Sequence, residues 1–259
     1  MALIFETHAH YEDKAFDEDR EELLSSLPKN GIEYVVNVGS SFETCRRSVE
    51  LANSYSFIYA ALGIHPEEIQ DATGENLNDI KKEAMSNKKV VAIGEIGLDY
   101  YWTKETKQEQ KNAFIAQIEM AKELDKPIIV HSRDAAYDTY EIMKEAGAEE
   151  CGGVIHCFSY STEEAKKYLD MGFYIGLGGA VTFKNSVKSK EVAAYVPLDR
   201  LLLETDCPYM APVPYRGKRN SSLYIPEVAK VIADIRGMEY DTLVESTSLN
   251  AKRMYKICT

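Results

Sequence analysis

Short apolar runs recur along the chain and are separated by longer amphipathic stretches. Within each run, hydrophobic and often β-branched residues follow one another directly instead of alternating with polar ones. Continuous runs of this kind are typical of strands buried on both faces, as in a parallel sheet. The eight runs cover residues 3–5, 34–38, 57–62, 90–93, 128–130, 154–155, 173–177 and 201–203. They recur on average about every 28 residues, which is the length of one strand–helix unit.

The stretches between the runs carry helix signals. Ser161 and Glu164 frame a capping box, and Gly172 lies where a left-handed glycine would end that helix. Another helix is predicted over residues 107–124. Its apolar residues recur at helical spacing: Phe114, Ile115, Ile118 and Ala121.

The alternation of strands and helices predicts the fold class. It implies a parallel sheet with right-handed crossovers, and eight units favour closure into a (β/α)8 TIM barrel. An open doubly wound sheet would need a glycine-rich phosphate turn after an early strand, and the sequence has none. No linker or composition break divides the chain. We therefore predict a single barrel domain over residues 1–259, with its site at the C-terminal ends of the strands.

The composition of the chain narrows the classes of molecule that the protein could bind. Lys and Arg number 30 against 42 Asp and Glu, a formal net charge of -12. This argues against a broad basic surface for nucleic acid, so any attraction for phosphate must be local. The five cysteines are scattered without a C-x-x-C pair, which suits a reducing compartment, and no run is long enough to span a membrane. We expect a cytoplasmic protein without an evident obligate protein partner.

Residues that can bind metal follow six of the eight runs. In a barrel of this kind the C-terminal strand ends form the active site. All five histidines of the chain lie at these ends. The candidate ligands are His8, His10, Glu95, His131, His156 and Asp206, and His65 lies at the same rim.

Each candidate taken alone has a structural alternative. His8 and His10 face one side of a strand and can grip one ion, but a single H-x-H pair is more often surface or packed histidine. His131 and His156 could equally be hydrogen-bonded core residues. A carboxylate such as Glu95, directly after a buried run, needs a partner or a metal ion. The alternatives would have to hold independently on five strands of one rim, which favours a shared metal site.

Histidine and carboxylate ligands without thiolate suit Zn²⁺, Mn²⁺ or Mg²⁺. Six candidate ligands exceed one tetrahedral site and suit two ions that share a bridging carboxylate. Two divalent ions clamp the attacking and leaving oxygens of an in-line displacement and lower the pKa of bound water. The sequence therefore predicts metal-assisted hydrolysis.

Seven short motifs occur in order along the chain. They are Glu-Thr-His-Ala-His at 6–10, Gly-Ile-His-Pro at 63–66, Gly-Glu-Ile-Gly-Leu-Asp-Tyr at 94–100, Pro-Ile-Ile-Val-His-Ser-Arg at 127–133, Ile-His-Cys-Phe-Ser at 155–159, Leu-Leu-Glu-Thr-Asp-Cys-Pro-Tyr at 202–209 and Arg-Gly-Lys-Arg-Asn at 216–220. Together they resemble the TatD family of deoxyribonucleases, and the likeness spans essentially the whole chain. The resemblance implies a TIM barrel of the amidohydrolase superfamily. It also implies a divalent-metal-dependent nuclease that acts on DNA, often from 3′ ends and often on single strands.

The resemblance implies roles for the rim residues. One ion would be held by His8, His10, Glu95 and Asp206, and the second by Glu95, His131 and His156. Asp206 would also orient the nucleophilic water and accept its proton. His65 would contact the scissile phosphate, with packing of the His-Pro turn as its structural alternative.

Two positions depart from the family pattern. Glu6 stands where the family usually has Asp, which could shift the metal preference. Ser221 and Ser222 stand where the family commonly has Glu and Pro after Asn220. This second departure affects the order of the last loop or the handling of substrate.

Several residues are candidates for contacts around the metal site. Arg133 could reach a phosphate oxygen or form a structural salt bridge. Arg216 and Arg219 belong to the one tight basic cluster on a strand-end loop, which would draw in phosphate or simply be solvated. The aromatic residues at 100–102 could stack on bases, although packing is favoured. Glu204 is interpreted as supporting the ligands rather than binding metal.

Three functions remain open from the sequence. Hydrolysis of DNA is favoured by the ligand set and the basic loop. A small-molecule amidase or esterase, or an aminoacyl-tRNA deacylase, could use the same barrel, although amidase relatives often bridge their metals with a modified lysine where this chain has Glu95. A non-enzymatic binding protein would not need an intact set of ligands.

Overall fold

Eight parallel strands form one sheet in the computed structural model, which describes residues 2–257. Each strand pairs with the next one along the chain. The strands are β1 (Ile4–Ala9), β2 (Ile32–Val38), β3 (Ile58–Leu62), β4 (Val90–Asp99), β5 (Ile128–Arg133), β6 (Gly153–Ile155), β7 (Tyr174–Leu177) and β8 (Leu201–Leu203). Every predicted apolar run overlaps one of these strands, so the eight predicted strands are confirmed.

The ring of strands is joined just beyond the end of β8. The N–H of Asp206 donates to the carbonyl of His8 at 3.0 Å, and the N–H of His10 donates to the carbonyl of Cys207 at 2.8 Å. Ala9 and Cys207 form an isolated parallel bridge between the same segments. The predicted (β/α)8 TIM barrel is therefore confirmed.

Helices connect consecutive strands, and two more follow the last strand. The helices within residues 2–257 are α1 (Arg20–Ser26), α2 (Phe42–Ser54), α3 (Gly74–Ser86), α4 (Lys107–Glu123), α5 (Ala136–Glu145), α6 (Thr162–Asp170), α7 (Val187–Tyr195), α8 (Ile225–Arg236) and α9 (Tyr240–Met254).

Two predictions about helices need correction. The Ser161 hydroxyl accepts the N–H of Glu164 at 3.5 Å, but the Glu164 carboxylate binds Lys167 Nζ at 2.8 Å instead of completing a capping box. In α4 the predicted apolar stripe is wrong at Ile115, which is 41% exposed. Gln117 is buried instead, because its side chain accepts the N–H of Ile64 at 2.7 Å. Gly172 has the predicted left-handed conformation after α6, with φ 85°.

The barrel interior forms its own hydrophobic cluster. It contains residues from seven strands but helical residues from α9 alone among the described helices. The end of α9 packs against this cluster through Met254 and Tyr255. The Tyr255 hydroxyl donates to the carbonyl of Thr7 at 2.8 Å, inside the ring of strands. The larger cluster packs the remaining strand faces against the surrounding helices.

Two observations bear on the expected compartment. Within residues 2–257, no helix has the length and apolar character needed to cross a membrane. The cysteines in this part of the chain, Cys45, Cys151, Cys157 and Cys207, are free. Cys258 lies outside the described residues.

Candidate metal centre

Glu95 is the point at which the candidate residues meet. It lies in β4, whose ten residues are all buried. A nitrogen of each of the five histidines lies within 3.7 Å of one of its carboxylate oxygens: 2.7 Å for His156, 3.0 Å for His131, 3.4 Å for His8, 3.5 Å for His65 and 3.7 Å for His10. The fold thus gathers every histidine of the chain around one carboxylate.

One set of donors faces Oε2 of Glu95. The Nε2 atoms of His8 and His10 are 3.1 Å apart. Asp206 Oδ1 lies 3.3 Å from His10 Nε2 and 3.8 Å from His8 Nε2. Four donors at about 2.1 Å from a common centre would be about 3.4 Å apart in a tetrahedron. The donor separations therefore fit one metal ion.

A second set of donors faces Oε1 of Glu95. It consists of His131 Nδ1 and His156 Nε2, at 3.0 Å and 2.7 Å from that oxygen. The two ring nitrogens are 3.4 Å apart. These separations fit a second ion, with Glu95 common to both sets.

His65 lies beside the second set of donors, but the nitrogen that it turns toward Glu95 carries a proton. Its Nδ1 accepts the backbone N–H of Glu67 at 3.1 Å, so the neutral ring carries its proton on Nε2. Burial, followed by the nearby charge of His131, lowers the pKa of His65 to about 3. His65 therefore presents a neutral N–H donor to the centre, whereas a metal ligand needs a bare nitrogen.

The carboxylates make the centre favourable for positive charge. Burial alone would lower the pKa of His131, but hydrogen bonds with Asp99 and Glu95 outweigh it and raise that pKa to about 9. In the same way burial would lower the pKa of His10, but its interactions with Asp206 and Glu12 together outweigh burial and hold that pKa well above its usual range. A metal ion would take the place of these protons. The charges and the donor types thus agree that the site fits divalent cations.

Asp99 is a functional candidate that sequence reasoning missed. Its Oδ2 lies 3.1 Å from His131 Nε2, the ring nitrogen that points away from Glu95. Its Oδ1 accepts the backbone N–H groups of Tyr101 at 2.8 Å and Trp102 at 2.7 Å. Outer-shell carboxylates of this kind fix the orientation of a ligand histidine. The sequence signal that could have identified Asp99 is the period of two along a strand, which puts residues 95, 97 and 99 on one side of β4.

The candidate substrate contacts lie in different surroundings. Arg133 stacks over the exposed rings of Tyr101 and Trp102, 4.3 Å and 5.5 Å from their centroids. The structural salt bridge considered for Arg133 is not formed with any residue in 2–257. Arg216 lies 3.8 Å over the Phe183 ring, and Arg219 forms a two-bond ion pair with Asp19 at 2.7 Å and 2.5 Å. Tyr100 is buried, and its hydroxyl donates to Asp138 at 2.7 Å, as packing predicts.

Comparison with known proteins identifies the family. A family model described as TatD related DNase matches residues 5–256. The chain belongs to the TatD family. The uncharacterized metal-dependent hydrolase YabD of Bacillus subtilis (strain 168) is 47% identical over 255 residues, which cover 98% of this chain and 100% of that protein. The predicted family is confirmed.

Other TatD relatives are similar over nearly the whole chain. A protein of Cronobacter sakazakii named 3'-5' ssDNA/RNA exonuclease TatD is 32% identical, with 93% of each chain covered. The crystal structure of YjjV, a TatD homolog from Escherichia coli K12, gives a TM-score of 0.91 at 29% identity, with 98% of each chain covered. The protein is thus a metal-dependent hydrolase of the TatD family.

Glu6, the first departure from the TatD pattern, connects the two sides of the barrel seam. Its Oε1 accepts the N–H of His8 at 3.1 Å and the N–H of Thr205 at 2.9 Å. Burial raises the pKa of Glu6 to about 7. The longer side chain is therefore accommodated in hydrogen bonds that hold β1 against the segment after β8.

The second departure lies in the loop after β8. Ser222 takes part in two bonds with the Tyr11 hydroxyl, which donates to its Oγ at 2.8 Å and accepts its N–H at 3.0 Å. Asn220 donates to the carbonyls of Thr205 and Tyr209 at 2.9 Å and 2.7 Å. These buried bonds hold the loop in place without the Glu that the family commonly has there.

Proposed function

We propose that the protein is a divalent-metal-dependent deoxyribonuclease that acts as a 3′–5′ exonuclease on single-stranded DNA. The supporting observation is that Glu95 faces two sets of donors, each with the separations of one ion. A symmetric pair of ions suits in-line displacement at phosphorus. The name of the Cronobacter sakazakii relative supports a nucleic acid substrate.

Two ions of Mg²⁺, Mn²⁺ or Zn²⁺ would occupy the centre. His8, His10, Glu95 and Asp206 would hold the first, and Glu95, His131 and His156 the second. Bound there, the ions would supply Lewis acidity to the phosphate and lower the pKa of water toward neutrality.

Asp206 is assigned the role of accepting a proton from the attacking water. Its side chain is 18% exposed, against 5% for that of Glu95, so it is the more accessible acid for a solvent molecule. Burial would raise its pKa, but the hydrogen bond with His10 and the charges of the neighbouring histidines together outweigh burial and keep the pKa lowered, so Asp206 is ionised at neutral pH. In the step, the water oxygen bonds to phosphorus and Asp206 takes the proton of the water. The bond from phosphorus to the leaving oxygen breaks, and that oxygen departs with the electron pair of the bond and takes a proton from solvent.

His65 is assigned to the scissile phosphate rather than to a metal. Its neutral ring points an N–H toward the centre, 3.5 Å from Glu95 Oε1. A neutral donor can hydrogen-bond a phosphate oxygen on which negative charge develops. It needs no proton change to do so at neutral pH.

Arg133 and Arg216 are assigned to the DNA backbone or bases. Each has its guanidinium over an aromatic ring, and neither is paired with a carboxylate within residues 2–257. Arg219 belongs to the same proposal, but it must leave Asp19 before it can bind phosphate. With the metals, these local cations would offset the net charge of -12.

The test is a degradation assay with purified protein and added Mg²⁺, Mn²⁺ or Zn²⁺. Single-stranded oligonucleotides labelled at either end distinguish the polarity of cleavage. We expect nucleotides to be released from the 3′ end, and Glu95→Gln and Asp206→Asn to abolish release. Intact oligonucleotide under every metal, or full activity of both variants, would refute the proposal.

The same enzyme preparations distinguish the alternative substrates. Small esters, amides and charged tRNA are assayed beside the oligonucleotides under the same metals. Hydrolysis of any of these with no cleavage of DNA would assign the centre to amidase, esterase or deacylase chemistry instead.

A further inference from the structure

The four candidate ligand histidines differ in the hydrogen bond made by their outer nitrogen, which is the ring nitrogen that does not face Glu95. A metal-ligating histidine normally donates its other N–H to a carboxylate, carbonyl or water. His10 does so with the carbonyl of Val38, at 2.7 Å from Nδ1. The outer nitrogen of His131 has Asp99. Within residues 2–257, Nδ1 of His8 and Nδ1 of His156 are buried with no hydrogen-bond partner.

The two unpartnered nitrogens belong to rings that lie face to face. The rings of His8 and His156 are stacked, with centroids 4.0 Å apart and planes at 10°. Both rings turn Nε2 toward Glu95, at 3.4 Å and 2.7 Å. The unpartnered Nδ1 of each ring is therefore the nitrogen that is not turned toward Glu95.

Glu204 lies next to both histidines. Its Oε1 is 3.8 Å from His156 Nδ1, and donor atoms of His8, His156 and Glu204 all lie within 4.8 Å of one another. Its Oε2 is also buried without a partner. A separation of 3.8 Å is too long for a direct hydrogen bond. Unsatisfied buried polar atoms on three adjacent residues, with this gap between two of the residues, are the partners that a buried water needs.

The neighbouring backbone makes room for this carboxylate. Oε1 of Glu204 accepts the N–H of Cys157 at 2.5 Å, where Cys157 has a φ of 45°. On the other side, a Cβ atom on Gly176 would lie only 2.4 Å from Oε2. Glycine at 176 and the turn at Cys157 therefore hold the carboxylate in this position.

We propose that Glu204 is a positioning residue for both ion sites. One bridging water accepts the Nδ1–H groups of His8 and His156 and donates to Oε2 of Glu204. This fixes the tautomer of both rings, so that each presents a bare Nε2 to the centre. The inference rests on the metal site of the proposed function and is independent of the substrate.

The test uses Glu204→Gln, which replaces one carboxylate oxygen by an NH₂ group and keeps the shape of the side chain. The N–H of Cys157 will keep the amide oxygen, so the amide NH₂ will face the gap and present donors to donors. We expect Zn²⁺ affinity at both sites, measured by competition with a chromophoric chelator, to fall about 10- to 100-fold. Glu164→Gln is the matched control, because Glu164 also has a buried unpartnered oxygen but lies on α6 beside Lys167.

A spectroscopic measurement separates positioning from general damage. In zinc-saturated protein labelled with ¹⁵N-histidine, five histidines give few signals, and the Nδ1–H protons of His8 and His156 should be downfield and protected from exchange. Glu204→Gln should shift both upfield, and Gly176→Ala, which displaces the carboxylate, should do the same. Unchanged Zn²⁺ affinity in Glu204→Gln would overturn the proposal. So would weakened affinity with both protons unshifted. Since no nucleic acid enters either measurement, failure of the nuclease assay would leave both results interpretable.

Discussion

Asp99 offers a prediction whose size can be worked out from its contacts, because its two oxygens serve different groups. Oδ2 contacts the outer nitrogen of His131, and Oδ1 accepts two backbone N–H groups in the loop after β4. Asp99→Asn can keep the loop bonds through its remaining oxygen while it turns an NH₂ group toward His131. Asp99→Ala removes the contact with His131 and the loop bonds together.

The two variants should therefore separate metal binding from stability. Loss of the contact with His131 should weaken metal binding at the second donor set about 10- to 100-fold in both variants, which is about 1.4–2.7 kcal/mol. Loss of two loop bonds at about 1 kcal/mol each should lower the unfolding free energy of metal-free Asp99→Ala by about 2 kcal/mol more than that of Asp99→Asn.

Chelator competition measures the first quantity and urea unfolding of metal-free protein the second. Both ions binding to Asp99→Asn as tightly as to the unchanged protein would refute the role of Asp99 toward His131. Equal stability of the two variants would refute the role of Oδ1 in the loop.

Three further predictions follow from the rim and the centre. Arg133→Ala should raise KM for single-stranded DNA on the order of tenfold with kcat nearly unchanged, since a charge-assisted contact is lost; an unchanged KM in steady-state assays would remove Arg133 from the substrate path. Arg219→Ala should lower the unfolding free energy by about 1 kcal/mol or less, because its pair with Asp19 is partly exposed and screened; a loss of several kcal/mol in urea would contradict this. The folded-state pKa of His65 is about 3 against an ordinary 6.5, so its neutral form contributes stability that is complete above pH 6.5 and is lost as the pH falls toward 3. Metal-free His65→Asn should therefore lose less stability than the unchanged protein between pH 7 and pH 4.5, and parallel losses would disprove the assignment.

The strands and the rim were readable from the sequence for a physical reason. Strands of a closed parallel barrel are covered on both faces, so they appear as continuous apolar runs. Ligands at their C-terminal ends interrupt those runs with His or acid, and Glu95 stands out because nothing apolar explains a carboxylate there. Both signals lie in short stretches of the sequence, so they can be recognised without knowledge of the tertiary contacts.

Other features depend on partners that are distant in the chain. The sequence of α4 suggested an apolar stripe through Ile115, but Gln117 is buried because it can pair with the backbone of Ile64. The basic loop suggested free cations, but Arg219 pairs with Asp19, 200 positions away. The role of Asp99 was not predicted because the apolar run ends at residue 93, whereas β4 continues for six more residues and ends at Asp99.

The seam of the barrel and the first donor set are built from the same residues. His8, His10 and Asp206 supply side-chain donors to one candidate ion, and backbone bonds of all three close the ring. A growing or refolding chain therefore has no complete first site until its opening and closing strands have met. Metal binding at that site would therefore indicate that the barrel has closed, and a bound cation would stabilise the closed barrel against opening.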